Sequence, residues 1–263
     1  MSIDVGRVHY GMTRWIGTTG EDPVDAYEHI PYDGEVRDGD SILIVGAGGP
    51  MGQMHVIRDL CTDATGLSLT ATDFDTARLE SLGAKARPLA EANGVTLRLV
   101  NPRETPLAET FSYIALMAPV PPLVAQAVLD SAERCLINIF AGIPAGTRQA
   151  IDLDTYIRNR CWMFGTSGSR ISDMKIVLDK VTAGTLDTNC SVDAVSGMAG
   201  AIDGIAAVEN RTLAGKILVY PALRDVSLIP LTDLASHYPA VAEALNAGMW
   251  TKAAEAKLLE IAG

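Results

Sequence analysis

The chain is short of everything that would place it in a membrane, on nucleic acid or around a structural metal. Its four cysteines, Cys61, Cys135, Cys161 and Cys190, stand far apart, with no disulfide-framework or metal-ligand spacing. They read as isolated thiols packed as small hydrophobes in a reducing compartment, and the expected location is cytoplasmic. A structural zinc site needs closer Cys or His spacing, so no metal ligand is assigned. No apolar run approaches the roughly 18 residues needed to cross a bilayer, and Met1-Ser-Ile-Asp-Val-Gly6 lacks signal-peptide form. Basic residues are also few. Lys and Arg number 21 against 32 Asp and Glu, a net charge of −11, which argues against nucleic acid and anionic membrane as partners. Neither Gly-x-x-x-x-Gly-Lys-(Ser/Thr) nor His-Glu-x-x-His occurs, which argues against a P-loop triphosphatase and a zincin-type helix.

Apolar residues and glycine are what the chain has in quantity. Hydrophobic residues make up 48% of its 263 positions and glycine fills 24, enough for a sizeable core with close-packed turns. Short runs that are apolar on both faces, at 41–47, 67–72, 95–100, 113–117, 136–140 and 161–164, alternate with helical stretches at 51–61, 75–94, 123–133 and 173–183. This pattern predicts an α/β fold with a Rossmann-type doubly wound parallel sheet. Beyond it, 191–195 and 216–220 predict strands around a helix over 197–209, and 232–262 is mainly helical, punctuated by Pro239 and Gly248. The expected domains are an N-terminal segment over 1–40, a dinucleotide-binding domain over 41–186, and C-terminal α/β and helical elements over 187–263.

The first forty residues fit this scheme less simply. Asp4 to Asp25 can be laid over Asp152 to Asp173 at a constant offset of 148, matching Asp4 with Asp152, Gly17 with Gly165, Thr18 with Thr166, Gly20 with Gly168 and Asp25 with Asp173. The N-terminal segment therefore resembles the end of a preceding α/β unit.

The strongest chemical signal is Gly46-Ala-Gly-Gly-Pro-Met-Gly52, directly after an apolar strand and before a helix. Gly46 permits the tight turn, Gly48 lets backbone approach a pyrophosphate, and Gly52 allows close packing of helix on sheet. Gly49, Pro50 and Met51 complete the turn into a helix whose first amides face the phosphates. Asp73, ending the second strand, is placed to bind the adenosine ribose, which favours NAD over NADP. Arg78, five residues farther on, reads as a solvated helix arginine or, alternatively, as a group that softens that preference. Loops at Ala118-Pro119, Gly142 and Gly165-Thr166 follow later strands, and in a parallel sheet they share the edge beside the dinucleotide.

Catalytic groups are harder to find. Only His9, His29, His55 and His237 offer an imidazole. His9-Tyr10 is the leading pair, with tyrosine orienting a carbonyl or alcohol oxygen while histidine transfers a proton. A polar edge strand is the alternative reading of those two residues. His55, three residues past Gly52, is the third catalytic candidate. Tyr156 and Arg160 have the spacing of the Tyr-x-x-x-Lys pair of short-chain reductases, but arginine stands where lysine is needed, and that class is rejected.

Several stretches together resemble the cofactor-binding half of the medium-chain, zinc-type alcohol and polyol dehydrogenases, in the branch related to sorbose-phosphate reductase and threonine dehydrogenase. They are Val45-Gly-Ala-Gly-Gly-Pro-Met-Gly-Gln-Met-His55, Ala71-Thr-Asp73, Met117-Ala-Pro-Val-Pro121, Asn138-Ile-Phe-Ala-Gly-Ile-Pro144 and Phe164-Gly-Thr-Ser-Gly-Ser169. Asp173-Met174, Ala214-Gly-Lys-Ile-Leu-Val-Tyr-Pro221 and Gly248-Met-Trp-Thr-Lys-Ala-Ala-Glu255 extend the likeness, and Val8-His-Tyr10 with Gly17-Thr-Thr-Gly20 resembles the linker ahead of that half. The resemblance implies reversible hydride transfer between a nicotinamide and an alcohol, polyol or sugar-derived substrate. Catalytic zinc in that family sits in an N-terminal GroES-like domain, which has no counterpart here. Zinc is therefore expected only at a site supplied by a partner chain. Two functions stay open: an NAD-dependent oxidoreductase, complete in itself or one subunit of a split dehydrogenase, and a non-catalytic NAD-sensing or assembly subunit. A second dehydrogenase subunit and a homo- or hetero-oligomer are the expected partners.

Overall fold

The computed structural model describes residues 1–28 and 34–263, so His29 lies outside the described residues. Two compact units are present, Met1–Ala183 and Gly184–Gly263. The first opens with β1 (Ser2–Asp4), α1 (Val5–Tyr10), β2 (Trp15–Ile16) and α2 (Pro23–Glu28). Next come β3 (Ser41–Val45), α3 (Pro50–Leu60), β4 (Ser68–Thr72), α4 (Thr76–Ala92) and β5 (Thr96–Val100). After them follow β6 (Phe111–Leu116), α5 (Pro121–Leu129), β7 (Ser131–Ile139), β8 (Arg148–Ala150), α6 (Leu153–Arg158), β9 (Trp162–Phe164) and α7 (Ile171–Ala183).

One seven-stranded sheet runs in the order β2-β9-β7-β6-β3-β4-β5. All neighbours are parallel except β2, which is antiparallel to β9. Without β2 this is the 3-2-1-4-5-6 order of a doubly wound dinucleotide fold, with its switch point between β3 and β6. The alternation of side chains explains why both faces are covered. On β3, Leu43 enters one apolar core while Ile42 and Ile44 enter the other. On β6, Ile114 and Leu116 join the first core, and Tyr113 and Ala115 the second. Each such aliphatic side chain, fully buried, contributes about 1.5–3 kcal/mol.

The segments aligned at an offset of 148 have matching structures. The helices α1 and α6 begin at that separation, as do α2 and α7. Asp4 and Asp152 are their respective N-caps, accepting from Arg7 N and Thr155 N. Met12 and Arg160 both take left-handed backbone, at φ 49° and 50°. The two copies also pair with one another: β1 lies antiparallel to β8 with Ser2 opposite Ala150, and β2 lies antiparallel to β9 with Trp15 opposite Met163. Partners in both of these pairs are 148 residues apart, so an approximate two-fold relates the copies.

In the second unit β10 (Val192–Ser196) is followed by α8 (Ala201–Glu209), β11 (Lys216–Val219) and β12 (Ile229–Pro230). The short helices α9 (Leu234–His237) and α10 (Pro239–Ala242) and the longer α11 (Lys252–Ala262) close it. Its three strands run β11-β10-β12, over a core of Val195, Leu223, Leu234, Val241, Trp250 and Leu258. The helical tail expected over 232–262 is interrupted by a turn in which Asn246 bridges Met249 around left-handed Ala247 and Gly248. Among the described residues, no helix is long and apolar enough to cross a membrane.

Candidate functional site

The turn after β3 is built by backbone. Gly46 has φ +83°, and the amides of Gly46 and Ala47 both donate to Thr72 O at 2.9 Å, tying the turn to the end of β4. Gly48 N donates to Asp73 Oδ2 at 2.9 Å, so the acidic residue and the glycine turn are in direct contact. Any side chain at Gly48 would strike the neighbours, its Cβ lying 2.7 Å from Arg78 Cβ and 2.9 Å from Asp73 Oδ2. At Gly52 a Cβ would collide with Gly46 O and Ala47. Helix α3 begins at Pro50 behind Gly49, with no side chain capping it. The first-turn amides, Met51 and Gly52 among them, and the positive end of the helix dipole are thus left for an anion.

Two further side chains belong to this turn. Gln53 is fully buried, with Nε2 donating to Gly48 O at 3.2 Å and Oε1 accepting from Lys85 at 3.4 Å. Arg78 forms the far wall. The sequence placed Arg78 near the ribose but gave no role to Gln53, whose only signal is its position directly after Gly52.

The other end of the same edge gathers the remaining loops. A Cβ on Gly46 would lie 3.3 Å from Ala118 Cβ, setting the β6 loop against the glycine turn, and exposed Pro119 follows it. Helix α1 brings His9 and Tyr10 to the ends of β7 and β9. A Cβ on Gly142 would meet the Tyr10 hydroxyl at 2.9 Å, and one on Gly165 would meet His9 Cα at 2.9 Å. His9 is 9% exposed. Its Nδ1 lies 3.0 Å from Ile139 O; a carbonyl only accepts, so Nδ1 is the donor and Nε2 is the other ring nitrogen, outside this bond. Tyr10, 49% exposed, stands edge-on to that ring at 4.8 Å. Both residues lie in a helix, not in the alternative edge strand. Thr166 follows Gly165 in an exposed position.

His55 sits on α3 with Nδ1 2.9 Å from Met51 O and its ring edge-on to Phe140 at 4.4 Å. Burial lowers its pKa from the ordinary histidine value, with nearby Arg58 adding to the effect against the Met51 hydrogen bond. This favours the neutral ring, with Nδ1–H donating to Met51 O. Tyr156 is buried, donating to Trp15 O at 2.7 Å and accepting from Met163 N at 2.9 Å. Its hydroxyl ties the two-fold copies together and is unavailable for chemistry. Burial likewise pushes the Cys135 and Cys161 thiols above their ordinary range. Among the described residues no group of three or more His, Cys, Asp and Glu side chains converges as a metal site, so they do not supply the zinc ligand set of the resembled family.

A glycine-walled helix N-terminus, an acidic residue at the end of the adjacent strand and the 3-2-1-4-5-6 order define a Rossmann-type doubly wound fold. No protein-family profile and no curated protein matches the chain. Solved structures do. An alcohol dehydrogenase from E. coli CFT073, described as short chain and complexed with NADH, superposes with a TM-score of 0.59 at 17% identity, over 71% of this chain and 54% of that one. The 2R,3R-butanediol dehydrogenase of Bacillus subtilis gives 0.57 at 17%, over 71% and 52%. An alcohol dehydrogenase zinc-binding domain protein from Burkholderia ambifaria gives 0.56 at 16%, over 70% and 49%. The likeness to medium-chain alcohol and polyol dehydrogenases thus holds at the level of the fold. The chain spans about half the length of the solved proteins it matches. The description of the first neighbour as short chain leaves the reading of Tyr156 unchanged, since its hydroxyl is already bonded on both sides.

Proposed function

We propose that this chain binds NAD at the switch point between β3 and β6 and serves hydride transfer to or from an alcohol, a polyol or a sugar-derived substrate. The observation that carries the reading is the Gly48–Asp73 contact beneath the uncapped start of α3. Here the backbone is bared where a pyrophosphate would lie, and a carboxylate stands one strand away where a ribose diol would donate. That carboxylate would repel a 2′-phosphate, so NAD is favoured over NADP. When bound, the nicotinamide supplies the hydride acceptor or donor. Tyr10 then offers an exposed hydroxyl beside Gly142 to the substrate oxygen. His9, locked by Ile139 O, presents Nε2 as the group that takes the proton. His55, neutral and behind Phe140, shapes the wall between phosphate and nicotinamide ends.

A second subunit carrying substrate groups and zinc is the form of this proposal in which the chain acts as half of a split enzyme. Helix α7 starts from the Gly165 loop and exposes Ile171, Met174, Val177, Leu178 and Val181, an apolar surface of the kind a partner covers. Titration calorimetry with NAD tests the first step. Wild type should bind with micromolar affinity, and Gly48→Val should weaken binding by about 100-fold or more, because a side chain there strikes Arg78 and Asp73 and displaces the turn that faces the pyrophosphate. Tyr10→Phe should keep NAD affinity while reduction of NAD with butane-2,3-diol and a panel of polyols falls by about 100-fold. Wild type that binds NAD yet turns over none of these alcohols, even with a zinc-bearing partner added, supports the sensing or assembly reading instead. Absence of NAD binding overturns both.

A further inference from the structure

A cavity of about 530 Å³ lies at the edge of the sheet away from the dinucleotide. Its walls include the Gly17-Thr-Thr-Gly20 loop, Arg37, Arg134, Leu136, Arg160 and Trp162. The position follows from strand direction. Gly46, Asp73, Ala118 and Gly165 follow the carboxyl ends of the parallel strands, whereas Arg134 and Arg160 precede the paired residues Leu136 and Trp162. Because β2 runs antiparallel to β9, its trailing loop is carried to this second edge. Gly17-Thr-Thr-Gly20 is thus the two-fold counterpart of Gly165-Thr-Ser-Gly168 and occupies the opposite rim.

We propose that this cavity binds a phosphomonoester carried on a small hydroxylated body, an effector site separate from the dinucleotide edge. Arg134 and Arg160 each stand two residues ahead of the Leu136–Trp162 pair, which makes them neighbours across adjacent strands. Both take left-handed backbone, at φ 59° and 50°. The turn alone accounts for Arg160, since Met12 repeats it, but Arg134 has no such counterpart. Among the described residues no carboxylate stands within ion-pair distance of Arg134, and Arg160 has only an exposed contact to Glu133 at 3.6 Å. Arg37 is different: it is held by Asp40 and by Ser112 O, both at 2.9 Å, and serves as a fixed wall. Asp25 also lines the cavity, so its walls carry three guanidinium groups and one carboxylate, with Arg37 and Arg160 each additionally contacted by a carboxylate outside the lining, Asp40 and Glu133.

Trp162 is 3% exposed and lines the cavity, and its indole Nε1–H has no acceptor. The guanidinium groups of Arg134 and Arg160 line one wall of the cavity, and a phosphate dianion has three oxygens to meet them. The space exceeds a lone phosphate. Thr18 and Thr19 offer hydroxyls to the remainder of the ligand, and Ile16 and Leu136 give it an apolar floor. The Trp162 ring is stacked on Phe164 at 5.0 Å and covered by Arg14 at 5.4 Å, which leaves it no free face for a nucleobase.

Phosphorus NMR and calorimetric titration of the full chain with glycerol 3-phosphate, with inorganic phosphate as the second arm, tests the assignment. Saturable binding is expected, about 10-fold tighter for the ester than for inorganic phosphate, with a change in tryptophan emission. Arg134→Gly and Arg160→Gly should each weaken it by about 10-fold or more while NAD affinity at the other edge stays as in wild type. Glycine relieves the left-handed backbone, so these variants should lose ligand while keeping or raising thermal stability, a separation that a merely structural arginine would not produce. Equal affinity for the ester and for phosphate overturns the organic body. No saturable binding of either, or unchanged binding in both variants, overturns the site.

Discussion

Asp59 lies on the buried face of α3, with Oδ1 3.0 Å from Arg58 and Oδ2 without a hydrogen-bond partner. Burial pushes its carboxyl up to about 6 from an ordinary 3.8, against the opposing pull of Arg58. The folded chain therefore holds this proton more tightly than the unfolded chain does. Its contribution is most favourable below about pH 4, declines as pH rises to about 6, and is constant above that, a change on the order of 3 kcal/mol. Asp59→Asn removes the titration and gives the unpaired position a donor. Urea melts should show the variant gaining on wild type between about pH 4 and pH 7 by that amount; a constant difference across the range would count against the assignment. Other residues were easier to foresee. Gly48 and Asp73 were legible because a single contact serves a single motif. The Tyr10–Gly142 approach was not, since it depends on β1 pairing with a strand some 146 residues away.

Among the elements, the βαβ core declared itself because β3 and β6 are apolar on both faces and α3 starts on a glycine turn. The strands β1, β2 and β8 have two or three residues each, too few for any period to show. Their helices α1 and α6 have six residues apiece, below the length at which an amphipathic stripe is readable. What fixes α1 is long-range. Asp4 caps Arg7 N at 3.0 Å and also accepts from Gly146 N at 3.1 Å. Asp4→Ala removes the acceptor of both amides and should cost about 1–2 kcal/mol in a denaturant melt. Faster amide exchange at Gly146 in the same variant would show that the second contact is lost too.

At the scale of the whole chain, the dinucleotide edge and the arginine-lined cavity both belong to residues 1–183, and the second unit has its own sheet and core. A ligand stabilises only what it binds. Saturation with NAD at about 100 times its dissociation constant should raise the stability of the first unit by about 2.7 kcal/mol. Differential scanning calorimetry should show one transition moving and another staying; a common shift of the whole profile would mean that the two units melt as one.

The pairing of β2 with β9 and of β1 with β8 joins two related pieces of backbone that lie in a single chain. Had the mate come from a second molecule, closure of this sheet edge would follow protein concentration and fail on dilution. Tethering turns that encounter into an intramolecular event, with an effective concentration set by the connecting chain instead of by the solution. The edge is therefore equally closed at nanomolar and millimolar protein, and the amide pairs that guard it from other strands do not depend on how crowded the solution is.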